Sequence, residues 1–170
     1  MDFITGLPKS GNKSVIMVVV DKLSKYAHFC TLPHPFTLTL VDQYFMDQIK
    51  LHGMPTSIVS NDDPIFTNNL CQELFWLQGT QLQLSTSYHP QTDGQTEAVN
   101  KYLKSYLRCF TSEKQHLWVQ WLPIAEWWYN TSDHATTKMT PYEAVYCQLP
   151  PSPTSYIKGC LKVHTSYQLI

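Results

Sequence analysis

Ser14-Val15-Ile16-Met17-Val18-Val19-Val20 is an uncharged run dominated by β-branched side chains. Such residues favour extended backbone, and a run apolar at every position reads as a strand buried on both faces. Upstream, residues 1–4 are a short apolar opening, set off by turn signals at Gly6-Leu7-Pro8 and Ser10-Gly11-Asn12. Downstream, residues 26–32 are expected to form another strand, joined to the first run by a hairpin through 21–25. Pro33 and Pro35 then break the chain. Residues 39–51 place Val41, Phe45 and Ile49 at helical spacing, and Gly53 stops that helix in a C-cap role.

The order continues with a short strand at 56–60, a helix at 68–78 closed by Gly79, and a strand at 82–85. Helices follow at 96–110 and 118–130, the second containing Pro123, which kinks or divides it. Thr140-Pro141-Tyr142-Glu143 has the N-cap, N1 and N3 residues of a helix start. Three strands, helix, strand, helix, strand and helices make an α/β domain: a mixed sheet flanked by helices. The 170 residues suit one domain able to bury its own core.

Charged residues are only 15% of the chain and the net charge is −1, so nucleic-acid binding would need a local patch rather than a global field. No run of about 18 apolar residues suggests a membrane span, and no basic-then-apolar opening suggests a secretory signal. Cys30, Cys71, Cys109, Cys147 and Cys160 form no C-x-x-C pair, and the histidines form no H-E-x-x-H. That argues against a zinc finger or zincin and for reduced thiols in an intracellular chain.

Chemistry concentrates in Ser87-Tyr88-His89-Pro90-Gln91-Thr92-Asp93-Gly94-Gln95-Thr96-Glu97 and the helix it feeds. At about 100° per residue, Glu97, Lys101, Lys104 and Arg108 share a stripe about 60° wide. Val99, Leu103, Tyr106, Leu107 and Phe110 fall opposite, as the packing face. On spacing alone the stripe could be a solvated face with an i,i+4 Glu–Lys pair. Two other features favour chemistry: the strand at 56–60 ends in Asn61-Asp62-Asp63, and Asp2 sits on the first strand. An α/β sheet would offer carboxylates to a metal at such places, and paired Mg²⁺ ions can act on a phosphodiester. The set Trp118, Trp121, Trp127 and Trp128 reads as core or interface before it reads as a base-stacking platform.

The chain resembles the catalytic core of integrases from gypsy-type LTR retrotransposons, relatives of retroviral integrases. The resemblance rests on MDFITGLPKS, VIMVVVDKLSKYAHF, LHGMPTSIVSNDDPIFT, STSYHPQTDGQTE-VN and WLPIAEWWYNTS…MTPYEAVY, which run in the family's order over roughly residues 1–150. It implies a ribonuclease H-like fold with a five-stranded mixed sheet, its first strand truncated because the family's strand begins upstream. It also implies a catalytic core at 1–148 and a linker or truncated C-terminal segment at 149–170. The family's zinc-binding and C-terminal DNA-binding domains are expected to lie outside this chain.

The implied chemistry is Mg²⁺- or Mn²⁺-dependent phosphoryl transfer through an Asp-Asp-Glu triad. Asp2 matches the first member and Glu97 the third. The second falls in Ser60-Asn61-Asp62-Asp63-Pro64-Ile65-Phe66-Thr67, where Asn61 occupies the slot and 35 residues separate it from Glu97. An amide oxygen is neutral where a carboxylate would be anionic, so metal affinity and rate should fall. Adjacent strand residues point to opposite faces, so Asp62 could substitute only after a one-residue slip. Lys101 and Lys104 match positions that contact DNA ends, and Arg108 extends their stripe. Tyr88 and Gln91 resemble residues of the family's active-site loop. Ala98 stands where family members usually carry Arg, and His89 is expected to shape the loop before Pro90. The implied partners are retroelement ends, target DNA and a second copy of the core, with the reaction in the nucleus.

Overall fold

In the computed structural model, the described residues are 1–60, 75, 76, 79–84, 94–111 and 114–151. Strands β1 (Asp2–Ile4), β2 (Val15–Val20) and β3 (Ala27–Leu32) form an antiparallel sheet in that order. Helix α1 (Leu38–His52) follows, then β4 (Ser57–Ser60) and β5 (Gln81–Leu84), which pair in parallel. Helices α2 (Gly94–Thr111), α3 (Trp118–Thr131) and α4 (Pro141–Tyr146) complete the chain. The expected single five-stranded sheet is not what the described residues show; they form a three-stranded and a two-stranded sheet. The Met1 nitrogen, beside β1, donates to the Val59 carbonyl of β4 at 2.7 Å. The predicted helix at 68–78 lies largely outside the described residues; within it Phe75 and Trp76 are helical. Residues 149–170 are outside them too, apart from 149–151.

The two-faced burial expected of β2 is realised by alternation along the strand. Ile16 and Val18 enter an apolar cluster with Val99, Leu103 and Leu107 of α2 and with Trp118, Leu122 and Ala125 of α3. Val15 and Met17 point the other way, into a cluster with Val41 and Phe45 of α1 and Ile58 of β4. The same parity runs through β1: Ile4 faces α2 and α3, and Phe3 faces α1. Asp2, two residues before Ile4, therefore shares the α2 side.

The hairpin between β2 and β3 is held by Asp21. Its carboxylate accepts from the Ser24 amide at 2.7 Å and the Ser24 hydroxyl at 2.6 Å, and Lys25 turns the chain with φ +65°. Burial pushes the Asp21 carboxyl up, but the bonds from Ser24, the Leu23 amide and the nearby His52 together outweigh it and leave the group below its ordinary value. The outer edge of β3 is closed by α3. Asn130 accepts from the Ala27 amide at 2.9 Å and donates to the Ala27 carbonyl at 2.8 Å, and Glu126 accepts from the Phe29 amide at 2.8 Å. Side chains thus satisfy groups that would otherwise invite a further strand.

Pro123 leaves α3 one continuous helix rather than two. Trp118 is 2% exposed and donates its indole N–H to the Pro8 carbonyl at 2.8 Å, which fits the core reading of that residue. Trp128, by contrast, is exposed. The predicted start of α4 holds in full: Thr140 and Glu143 form a reciprocal capping box with Pro141 in the first turn. No helix among the described residues is long and apolar enough to cross a membrane.

Candidate active site

Asp2 pairs with Val18 across β1 and β2, and its half-buried carboxylate points toward α2. Its Oδ1 accepts from the Phe3 amide at 2.7 Å, and its Oδ2 accepts from Asn100 Nδ2 at 2.6 Å. Glu97 lies in the first turn of α2, one turn before Asn100. Residues three apart on a helix have Cβ atoms about 5–6 Å apart, so the Asn100 contact brings the Glu97 turn to Asp2. The two carboxylates lie far apart in sequence, and the Asn100 contact sets the helix that carries Glu97 against the strand that carries Asp2.

Glu97, Lys101, Lys104 and Arg108 are all exposed, while Val99, Leu103 and Leu107 are buried, so the predicted division of this helix holds. Two details differ. Phe110, expected on the packing face, is 47% exposed; it stacks on Tyr106 with ring centroids 4.4 Å apart, at the margin of the buried cluster. The Glu97–Lys101 pair allowed by spacing does not form, and Glu97 makes no ion pair among the described residues.

Asn61, Asp62, Tyr88 and Gln91 lie outside the described residues, as does His89. Among the described residues, no group of three or more His, Cys, Asp or Glu side chains is placed to hold a metal. What is present suits a hard cation in kind, since Asp2 and Glu97 are oxygen donors, but falls short of a three-carboxylate set in number and charge.

Sequence reasoning missed Asn100. It is buried, its amide N–H orients Asp2, and its Oδ1 has no hydrogen-bond partner. A buried acceptor left unpaired costs about 1–3 kcal/mol, and such groups gather where a site needs them. The available signal was a polar residue beside Val99 and Leu103, breaking an otherwise apolar helix face. Glu126 and Asn130 were missed too, because nothing local to α3 announces that they serve the backbone of β3.

No family model matches the chain. It is 34% identical over 151 residues, 88% of its length, to the Tf2-3 and Tf2-4 transposon polyproteins of Schizosaccharomyces pombe. The chain spans 11% of the length of these curated relatives. Among solved structures it superposes on a chain of the simian T-cell lymphotropic virus intasome with TM-score 0.71 and 20% identity, covering 89% of this chain and 56% of that one. The HTLV-2 integrase catalytic core in complex with magnesium gives TM-score 0.66 and 18% identity, covering 85% of this chain and 94% of that one. The BIV integrase core gives 0.63 and 20%, covering 85% and 92%. These likenesses show the fold, which is ribonuclease H-like. The resemblance drawn from the motifs therefore holds: the chain is homologous to retrotransposon polyproteins and folds as an integrase core.

Proposed function

We propose that this chain, a homologue of retrotransposon polyproteins with an integrase-core fold, is the catalytic core of a retroelement integrase whose phosphoryl-transfer activity is impaired. The ancestral reaction is processing of the 3′ ends of element DNA by water, then attack of the 3′-hydroxyl on target DNA. Asp2, Glu97 and position 61 would hold Mg²⁺ or Mn²⁺; when bound, the ions activate the attacking oxygen and stabilise the leaving one. Asn100 orients the Asp2 carboxylate through the 2.6 Å bond. Lys101, Lys104 and Arg108, exposed on one stripe of α2, contact phosphates, and Tyr88 and Gln91 touch DNA near the scissile bond. Asn61 brings a neutral amide where the family carries an acid, and Asp62 lies one residue out of phase. The observation that carries the proposal is the contact joining β1 to the Glu97 turn of α2.

Residues 1–148 are proposed as the core and 149–170 as a linker toward a further DNA-binding domain, with the reaction in the nucleus. A groove of about 650 Å³ between β3, α1 and α3, lined by Tyr44, Gln48, Leu122 and Trp127 among others, is offered as the face through which two cores pair.

The test is calorimetric titration with Mg²⁺ and Mn²⁺ of this chain beside its Asn61→Asp variant, with nicking and strand-transfer assays on element-end duplexes. The parent chain should bind weakly and cut nothing, and Asn61→Asp should strengthen metal binding. Robust Mg²⁺-dependent nicking by the parent chain would overturn the impairment. The exposed cation stripe favours a second reading, a non-catalytic DNA-binding or dimerising module. In that case salt-dependent DNA binding is lost in Lys101→Ala/Lys104→Ala and indifferent to Glu97→Gln, with the log–log salt slope falling by about 0.9 per lost contact.

A further inference from the structure

Away from Asp2 and Glu97, two histidines meet at the junction of β3 and α1. His28 lies on β3 and His52 is the last residue of α1. Their Nε2 atoms are 2.8 Å apart, a separation that one shared N–H fills. The other nitrogen of His28, Nδ1, is 3.2 Å from Glu126 Oε1, and Glu126 is itself fixed by the Phe29 amide at 2.8 Å. A carboxylate on Nδ1 keeps the proton there and presents the Nε2 lone pair outward, the arrangement that orients histidines toward metals. Neither the proposed phosphoryl-transfer chemistry nor the DNA stripe uses these residues; His28 and Glu126 also line the groove offered above as the pairing face, whereas His52 does not.

We propose that His28 and His52 form a site for a late first-row divalent cation, with Cu²⁺ and Ni²⁺ preferred over Zn²⁺ and water completing the coordination. The ion takes the place of the proton shared by the two Nε2 atoms. Metal–imidazole bonds of about 2.0–2.1 Å at a right angle set the two nitrogens about 2.9 Å apart, whereas a tetrahedral angle needs about 3.3 Å. The observed 2.8 Å matches the right-angle separation, while the ring centroids, 5.0 Å apart, show the imidazoles meeting nearly head-on around the shared proton, so the rings, His52 at its exposed helix end above all, turn to bring both lone pairs onto the ion. Imidazole ligands select this class and discriminate against Mg²⁺, which seeks oxygen. His52 ends α1, where the helix dipole is negative and favours a cation; burial and then the neighbouring His28 hold the His52 imidazole below its ordinary pKa, with the Asp21 carboxylate opposing them. Both ligands come from regular elements, and His52 is exposed, so an ion and its waters have access. Two protein ligands rather than three agree with the absence of a larger His, Cys, Asp and Glu group among the described residues.

The experiment is calorimetric titration of the whole chain with Ni²⁺ and Cu²⁺ in excess Mg²⁺, which occupies carboxylate oxygens, together with electron paramagnetic resonance of the Cu²⁺ form. One equivalent should bind, with splitting from two nitrogen ligands. His52→Ala, at an exposed helix end, and His28→Ala should each weaken binding at least tenfold, while His34→Ala should not. Glu126→Gln should weaken it about tenfold to a hundredfold through lost orientation of His28. Circular dichroism melts confirm that each variant is folded, and His52→Ala alone decides the outcome if His28→Ala is not. Equal affinity of the parent and His52→Ala, or binding by the parent no tighter than by His34→Ala/His52→Ala, overturns the proposal.

Discussion

Replacing Asn100 by Asp tests the contact on which the candidate site is built. Asn100 Nδ2 donates to Asp2 Oδ2 over 2.6 Å, so an aspartate there sets two carboxylates against each other. Fully ionised at about 4 Å with an effective dielectric near 20, they repel by about 4 kcal/mol. The pair can instead hold one proton. Keeping a carboxyl of ordinary pKa near 3.9 protonated at pH 7 costs about 1.4 kcal/mol per unit, again about 4 kcal/mol. Both routes give a destabilisation of about 4 kcal/mol at neutral pH, before the lost charge-assisted bond adds about 1.5–3 kcal/mol. The shared proton raises one folded-state pKa above its unfolded value. Stability of the variant relative to the parent is therefore recovered as pH falls toward 4 and lost as pH rises through the raised value. Asn100→Leu is the control: it removes the donor and the unpaired Oδ1 together, costing about 1–2 kcal/mol without that pH dependence. Urea unfolding at pH 4.5 and 7.5, followed by fluorescence of the buried Trp118, reads both variants. Equal losses for the two variants at both pH values would refute a carboxylate facing position 100.

Asn130→Ala strips partners from both backbone groups of Ala27; a loss of about 2–5 kcal/mol in urea unfolding is expected, with self-association through the opened edge visible by light scattering. The His134 pKa is held below 6.5 by burial and then by the Lys25 charge, while its Nε2 lies 3.0 Å from the Tyr129 hydroxyl. Its contribution to stability is complete above 6.5 and is lost as pH falls through the lowered value, so thermal melts should drop between pH 7.5 and 5.5 more steeply for the parent than for His134→Gln. Leu103→Ala, at a fully buried position against β2, should cost about 2–5 kcal/mol, whereas exposed Leu23→Ala should change stability by less than about 0.5 kcal/mol; chemical denaturation compares them.

The elements written into local sequence were legible in advance. β2 is a charge-free β-branched run, α4 opens on a complete capping box, and α2 separates a charged stripe from Val99, Leu103 and Leu107. Those signals are carried by neighbours along the chain. What escaped was set by partners distant in sequence. Asn100 meets Asp2, Asn130 meets Ala27, and His28 meets Glu126 and His52, and none of these pairings has a periodicity to betray it. Phe110 shows where periodicity misleads: its angle fits the packing face, yet it lies at the margin of that face, stacked on Tyr106 and against Trp121, while its neighbour Thr111 is buried. Of the candidate site, Asp2 and the Glu97 stripe were recoverable from motifs, and the residue that connects them was not.

Because β2 sends alternate side chains into different apolar clusters, it acts as a party wall between two compartments. Trimming Val18 is felt in the room that holds Asp2 and α2, and trimming Met17 in the room furnished by α1. Substitutions on the Asp2 and α2 side and on the α1 side should therefore add in their effects on stability, coupled only through the strands β1, β2 and β3 that serve both.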